Sequence, residues 1–180
     1  MRLYENYKKE IIPKLKAEFG YKSSLAAPRL VRVTVNVGVG RVSKDKAYLD
    51  NVEQTLRVIT GQAPVFTKAR KSIASFKVRE GMIAGVVVTL RGQRMYDFVE
   101  KFVRVTLPRV RDFRGLSKEA FDAQGNYAIG LKENLAFPEV HADNADKVHG
   151  LEICITTSAK TKAEGTALLQ LLGFPLKNKE

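Results

Sequence analysis

The sequence predicts an α+β fold in one domain spanning residues 1–180: a mainly antiparallel sheet, with helices packed on one face and a polar face left for a partner. Three observations carry that expectation. Apolar residues alternate with a period of two in some stretches and recur at three- and four-residue spacing in others. The two kinds of stretch follow the order helix, strand, helix, strand, strand, helix, strand, strand, helix. The chain has 180 residues of which 44% are apolar, enough for one packed core, and no internal repeat, low-complexity tract or linker divides it.

The opening reads as a helix on Tyr4, Tyr7, Ile11 and Leu15, ending at Gly20. Pro13 falls inside it, so the helix either kinks there or restarts with proline in its first turn. From Leu30 to Gly40 the period is two: Val31, Val33, Val35, Val37 and Val39 face one way, and Arg32, Thr34, Asn36, Gly38 and Gly40 the other. Leu49, Val52, Leu56 and Ile59 restore helical spacing over 45–60, with Gly61 as the cap. A short strand over 63–69 leads into a polar loop, Arg70–Gly85. The next strand sets Val86, Val88 and Leu90 against Val87, Thr89 and Arg91. A helix from Gln93 to Leu107 presents Met95, Phe98, Phe102 and Thr106 or Leu107, and Pro108 ends it. After the turn-rich residues 112–126 come strands near 126–131 and 151–157. The last helix starts at a capping box, Thr161-x-x-Glu164, runs through Leu168, Leu171 and Leu172, and stops at Gly173 before Pro175.

Lys and Arg number 31 against 19 Asp and Glu, a formal charge of +12. Residues 1–65 carry 12 basic and 6 acidic groups, residues 66–115 carry 12 and 4, and residues 116–180 carry 7 and 9. Such a field concentrates polyanions, and nucleic acid is the first candidate. No apolar run reaches the ~18 residues of a spanning helix, and the charge in residues 1–10 leaves no expectation of a signal peptide there. No membrane partner is expected. The lone Cys154 excludes an internal disulfide and a cysteine zinc site, fits a reducing compartment, and reads as a buried strand residue.

Motifs for catalysis are missing. Gly38-Val39-Gly40 would need a third glycine where Ser43 stands, so a dinucleotide turn is not expected. His141 and His149, with Asp143 and Asp146, have poor spacing for a metal and read as solvated loop residues. No nucleophile motif is present. Neither cofactor, metal nor small-molecule substrate is expected.

The basic run is the positive signal. Lys68-Ala-Arg-Lys-Ser-Ile-Ala-Ser-Phe-Lys-Val-Arg79 holds Lys68, Arg70, Lys71, Lys77 and Arg79 without an acid, a composition suited to phosphate contact. Arg32, Thr34, Asn36, Thr89 and Arg91 line the polar face of the sheet. The first strand carries no aromatic, so hydrogen bonds and phosphate contacts to a folded RNA suit this face better than base stacking.

The stretch Leu56-x-x-Ile59-Thr60-Gly61-Gln62-x-x-Val65-x-Thr67-x-Ala69-Arg70-x-Ser72 resembles the signature of the large ribosomal subunit protein five family, the bacterial 5S rRNA-binding ribosomal proteins. Six further segments agree in order: 35–40, 88–91, 107–116, 125–127, 137–139 and 172–175. The resemblance implies a structural role in the cytoplasmic ribosome, anchoring 5S rRNA in the central protuberance of the large subunit. It also implies contacts to 23S rRNA, to small-subunit ribosomal protein thirteen across a bridge, and to peptidyl-site tRNA. The rRNA-binding residues it points to, joined with those of the sheet face and basic run, are Arg32, Thr34, Asn36, Gln62, Thr67, Lys68, Arg70, Lys71, Thr89 and Arg91. The loop Arg70–Gly85 corresponds to the family's tRNA-facing loop, with Ser72, Ser75, Lys77 and Arg79. The chain departs from the family pattern at Arg41, Ala123, Gln124 and His149. Competing readings are a free RNA chaperone or translational regulator, which would sediment apart from ribosomes, and a nucleotide-dependent enzyme, which would bind a mononucleotide tightly.

Overall fold

The computed structural model describes residues 2–43, 45–76, 78–140 and 148–177. Strands β1 (Leu30–Gly38), β2 (Val65–Lys68), β3 (Ile83–Leu90), β4 (Tyr127–Leu131) and β5 (Leu151–Thr157) form a five-stranded antiparallel sheet in the order β2-β3-β1-β5-β4. The helices are α1 (Leu3–Asn6), α2 (Ile12–Phe19), α3 (Lys46–Thr60), α4 (Gly92–Lys101), α5 (Leu107–Arg109) and α6 (Lys162–Leu171). The α+β class is as the alternating periods require.

One π-helical turn (Tyr7–Ile11) joins α1 to α2, and a second (Phe102–Thr106) joins α4 to α5. Each ends two residues before a proline in the first turn of the next helix, Pro13 in α2 and Pro108 in α5. Proline lacks an N–H and its ring crowds the carbonyl four residues back. The wider turn absorbs this: the Ile12 N–H reaches back five residues to Tyr7, and the Leu107 N–H does the same to Phe102. The fourth helical segment therefore continues to Arg109, past the proline expected to end it.

The chain's contacts gather into two compact units. The first comprises residues 1–33, 90–129 and 154–180. Within it α1 packs on α4, and α2 on α6; Leu15, Phe102, Leu107, Leu168 and Leu169 are fully buried. Gly125 and Gly165 bring two backbones together. A Cβ on Gly125 would lie 2.7 Å from the Thr161 carbonyl oxygen and 2.9 Å from the Ala159 Cβ, so α6 can start only where these two glycines meet.

The second unit comprises residues 34–89 and 130–153. Val35, Val37, Val86, Val88 and Ile153 turn to its core, where Leu56, Ile59 and Phe137 are fully buried. Asp45 opens α3 by accepting from the Tyr48 N–H at 3.1 Å, and Gly61 closes it in the left-handed conformation.

Further sequence expectations need correction. Val31 is 38% exposed instead of buried: Leu30 and Val33 both face the core, so the alternation begins only at Val33. His149 is not a solvated loop residue but buried, at 5% exposure. Its Nδ1 lies 3.4 Å from Asn134 Nδ2, and Tyr48 meets its ring edge-on. Cys154 is half-buried, because Ile153 and Ile155 take the core positions and leave it on the opposite face. His141, Asp143 and Asp146 lie outside the described residues.

Candidate nucleic-acid interface

The polar face of the second unit is built on three strands. Antiparallel pairing sets Thr67 of β2 opposite Gly85 of β3, and Val65 opposite Val87. The Thr67 hydroxyl donates to the Gly85 carbonyl at 3.1 Å. Asn36 approaches from β1. A Cβ on Gly85 would lie 3.0 Å from Thr67 Oγ1, 3.2 Å from Asn36 Oδ1 and 3.3 Å from the Val37 carbonyl oxygen. The absent side chain is thus what lets Asn36 and Thr67 converge. Gly85 belongs to β3, which starts at Ile83, so the preceding loop ends three residues earlier than the sequence implied.

Gln62 stands just past the cap of α3. Its backbone N–H donates to Thr60 Oγ1 at 3.3 Å, and its side-chain Nε2 donates to the Thr89 carbonyl at 3.2 Å. Two sequence candidates 27 residues apart are thereby joined, with Gln62 and Thr89 both half-buried. Thr34 is half-buried on the same side of β1 as Asn36. This face also exposes Val65, at 67%, beside the half-buried Val87; its chemistry is less uniformly polar than the residue pattern suggested.

In the first unit Arg32 is exposed and its Nε donates to Thr156 Oγ1 at 3.3 Å. Arg91 is exposed at the N-cap of α4.

The segment between β2 and β3 has structure of its own. Ile73 and Val78 pair through both backbone bonds, at 2.9 and 3.2 Å, around a 3-10 turn at Ala74–Phe76. The Glu80 N–H donates to Ser72 Oγ at 2.9 Å. The Ala69 N–H donates to the Met82 carbonyl at 2.8 Å, and the Gly81 N–H to the Ala69 carbonyl at 3.0 Å. Lys68, Arg70, Lys71, Ser75 and Arg79 are exposed, and among the described residues none of these cations forms an ion pair. Unpaired cations in water can neutralise phosphates without first surrendering a carboxylate partner. Lys77 lies outside the described residues.

Sequence reasoning missed Phe76, which is 75% exposed in this turn, although it stood in the middle of the basic run. It also took Gly85 for a loop residue; a glycine next to three consecutive valines was the available signal of close backbone approach.

A family model described as ribosomal protein L5 matches residues 23–79, and a second model, for the C-terminus of the same ribosomal protein family, matches residues 83–176. The large ribosomal subunit protein uL5 of Syntrophomonas wolfei is 51% identical over 176 residues, 98% of this chain and 99% of that protein. The protein of the same description from Halothermothrix orenii is 53% identical over 173 residues, 96% of this chain and 97% of its own length. That from Citrifermentans bemidjiense is 51% identical over 177 residues, with coverage of 98% and 99%.

Proposed function

The chain belongs to the ribosomal protein L5 family, a family of structural and non-enzymatic components of the large ribosomal subunit, and on that premise we propose that it anchors 5S rRNA there. The observation that carries this reading is the convergence of Asn36 and Thr67 over Gly85, with Gln62 held to Thr89 on the same unit. Short donors and acceptors on a face without aromatics suit ribose 2′-hydroxyls and base edges of a folded RNA. The free cations Lys68, Arg70 and Lys71, with Arg32 and Arg91 of the first unit, supply phosphate contacts to 5S and 23S rRNA. The segment between β2 and β3 serves a second task, contact with peptidyl-site tRNA through Ser72, Ser75, Lys77 and Arg79, and small-subunit ribosomal protein thirteen completes the set of partners.

Filter binding to purified 5S rRNA, against an unrelated RNA of equal length, tests the anchoring role. The expected outcome is tighter binding to 5S rRNA at every salt concentration. Equal affinity for the two RNAs would reduce the interface to charge alone and overturn the reading.

A further inference from the structure

We propose that Phe76 is a base-stacking residue, the point among the described residues at which this protein offers an exposed aromatic face to a nucleobase of its RNA partner. The inference rests on the reading of the β2–β3 segment as RNA-facing and names what its tip recognises. Phe76 is 75% exposed. Leu25 and Val65 are comparably bare, but both are aliphatic and offer no ring to a base.

The turn holds the ring outward. The paired Ile73 and Val78 close the hairpin directly beneath it, Ser72 takes the Glu80 N–H, and Gly81 turns the chain at a φ of 83° that suits glycine. Ile73, itself 46% exposed, adds apolar surface at the base of the turn. A preformed tip loses little conformational freedom on binding.

The chemistry selects the occupant. Lys71 and Arg79 flank the ring in sequence, are exposed, and have no carboxylate partner among the described residues. A flat apolar group next to repeated negative charge matches this surface, and an unpaired or terminally stacked base beside its own phosphates is such a ligand. An acidic protein segment would satisfy the cations and leave the ring in water.

The chain has no Trp, so F76W in the full-length protein is a single indole reporter. The F76W protein, saturated with 5S rRNA to occupy the sheet face, is titrated with deacylated tRNA and, separately, with inorganic polyphosphate. We expect tRNA to quench the indole emission and polyphosphate to bind without quenching. Phe76→Ala should weaken tRNA binding by about 5- to 150-fold and leave the slope of log affinity against log salt unchanged. Arg79→Ala should lower that slope by about 0.7–0.9. If tRNA binds without quenching and Phe76→Ala keeps full affinity, stacking is wrong while the RNA-facing reading stands. If tRNA does not bind the unsubstituted protein at all, the RNA-facing reading fails and takes this proposal with it.

Discussion

Gly85 is the residue on which the second unit's polar face turns. A methyl group there would press on Thr67 Oγ1, Asn36 Oδ1 and the Val37 carbonyl at 3.0–3.3 Å, and only the first two can move. Gly85→Ala should therefore cost about 1–3 kcal/mol of stability from overpacking, and displace Asn36, so that a lower melting temperature and weaker 5S rRNA binding appear together. Asn36→Ala and Thr89→Ala should separate the two effects. Both leave the backbone contacts intact, so circular dichroism and melting should be nearly unchanged while 5S rRNA affinity falls by roughly 1–3 kcal/mol from an unpaired RNA group. Gln62→Ala should show that loss and a further ~0.5–1.5 kcal/mol in stability, because its hydrogen bond to the Thr89 carbonyl goes too. Unchanged affinity in all three alanine variants would place the RNA elsewhere. At this scale the alternation of β1 and β3 made Asn36 and Thr89 readable from sequence, since a period of two assigns faces directly. Cys154 and His149 were not readable. A half-polar side chain suits either environment, and only tertiary packing decided that Ile153 and Ile155 face the core while His149 meets Asn134 and Tyr48.

Among the elements, the turn before β4 carries a pH dependence. Asp122 accepts from the Gln124 and Asn126 N–H groups at 2.9 and 2.7 Å and from Asn126 Nδ2 at 2.7 Å. The side-chain bond from Asn126 is the largest cause that holds its carboxyl below the ordinary range; burial, the next largest, opposes it, and the backbone N–H groups of Asn126, Gln124 and Gly125 add to the lowering. The folded state thus binds this proton less readily than the unfolded chain does. The stabilisation is present above the unfolded pKa of ~3.9 and is lost as pH falls through the depressed folded value. Asp122→Asn should consequently be less stable than the unsubstituted protein at pH 7, and the gap in melting temperature should close in acid below pH ~4. A gap independent of pH would mean that the carboxylate charge contributes nothing. At the start of α6, Thr161 accepts from the Glu164 N–H at 3.3 Å, and Glu164 Oε2 accepts from the Lys160 N–H at 2.7 Å. Thr161→Ala should cost ~1 kcal/mol of stability as a lost N-cap, read in a denaturant titration. That cap was legible in the sequence because its signal is local. The two π turns were not, since a proline in a helical pattern announces a disturbance without saying how the preceding carbonyls are rearranged.

Over the whole molecule, charge and connectivity make separate demands. Residues 66–115 carry 12 basic and 4 acidic groups, so 5S rRNA affinity should fall with log salt at a slope of several units, about 0.7–0.9 for each phosphate neutralised. A salt-insensitive complex would remove the cations from the interface. Connectivity bears on whether the chain is one folding domain, as its composition suggested, or two, as its pair of compact units would allow. Four strands contribute residues to both units: β1 divides after Val33, β3 after Thr89, β4 after Ile129 and β5 after Ile153. A unit that unfolded alone would have to melt part of each of these strands and keep the remainder paired. Strand ends left in that state expose backbone donors and acceptors along with the valines of the core, which opposes a stable intermediate. We therefore predict one cooperative transition, with circular dichroism and tyrosine fluorescence giving coincident curves in urea and the calorimetric enthalpy equal to the van't Hoff enthalpy. Tyr4, Tyr7 and Tyr96 report on the first unit and Tyr48 on the second, so the comparison samples both. Two separated transitions, or a fluorescence change that precedes the loss of sheet signal, would make the compact units independent domains.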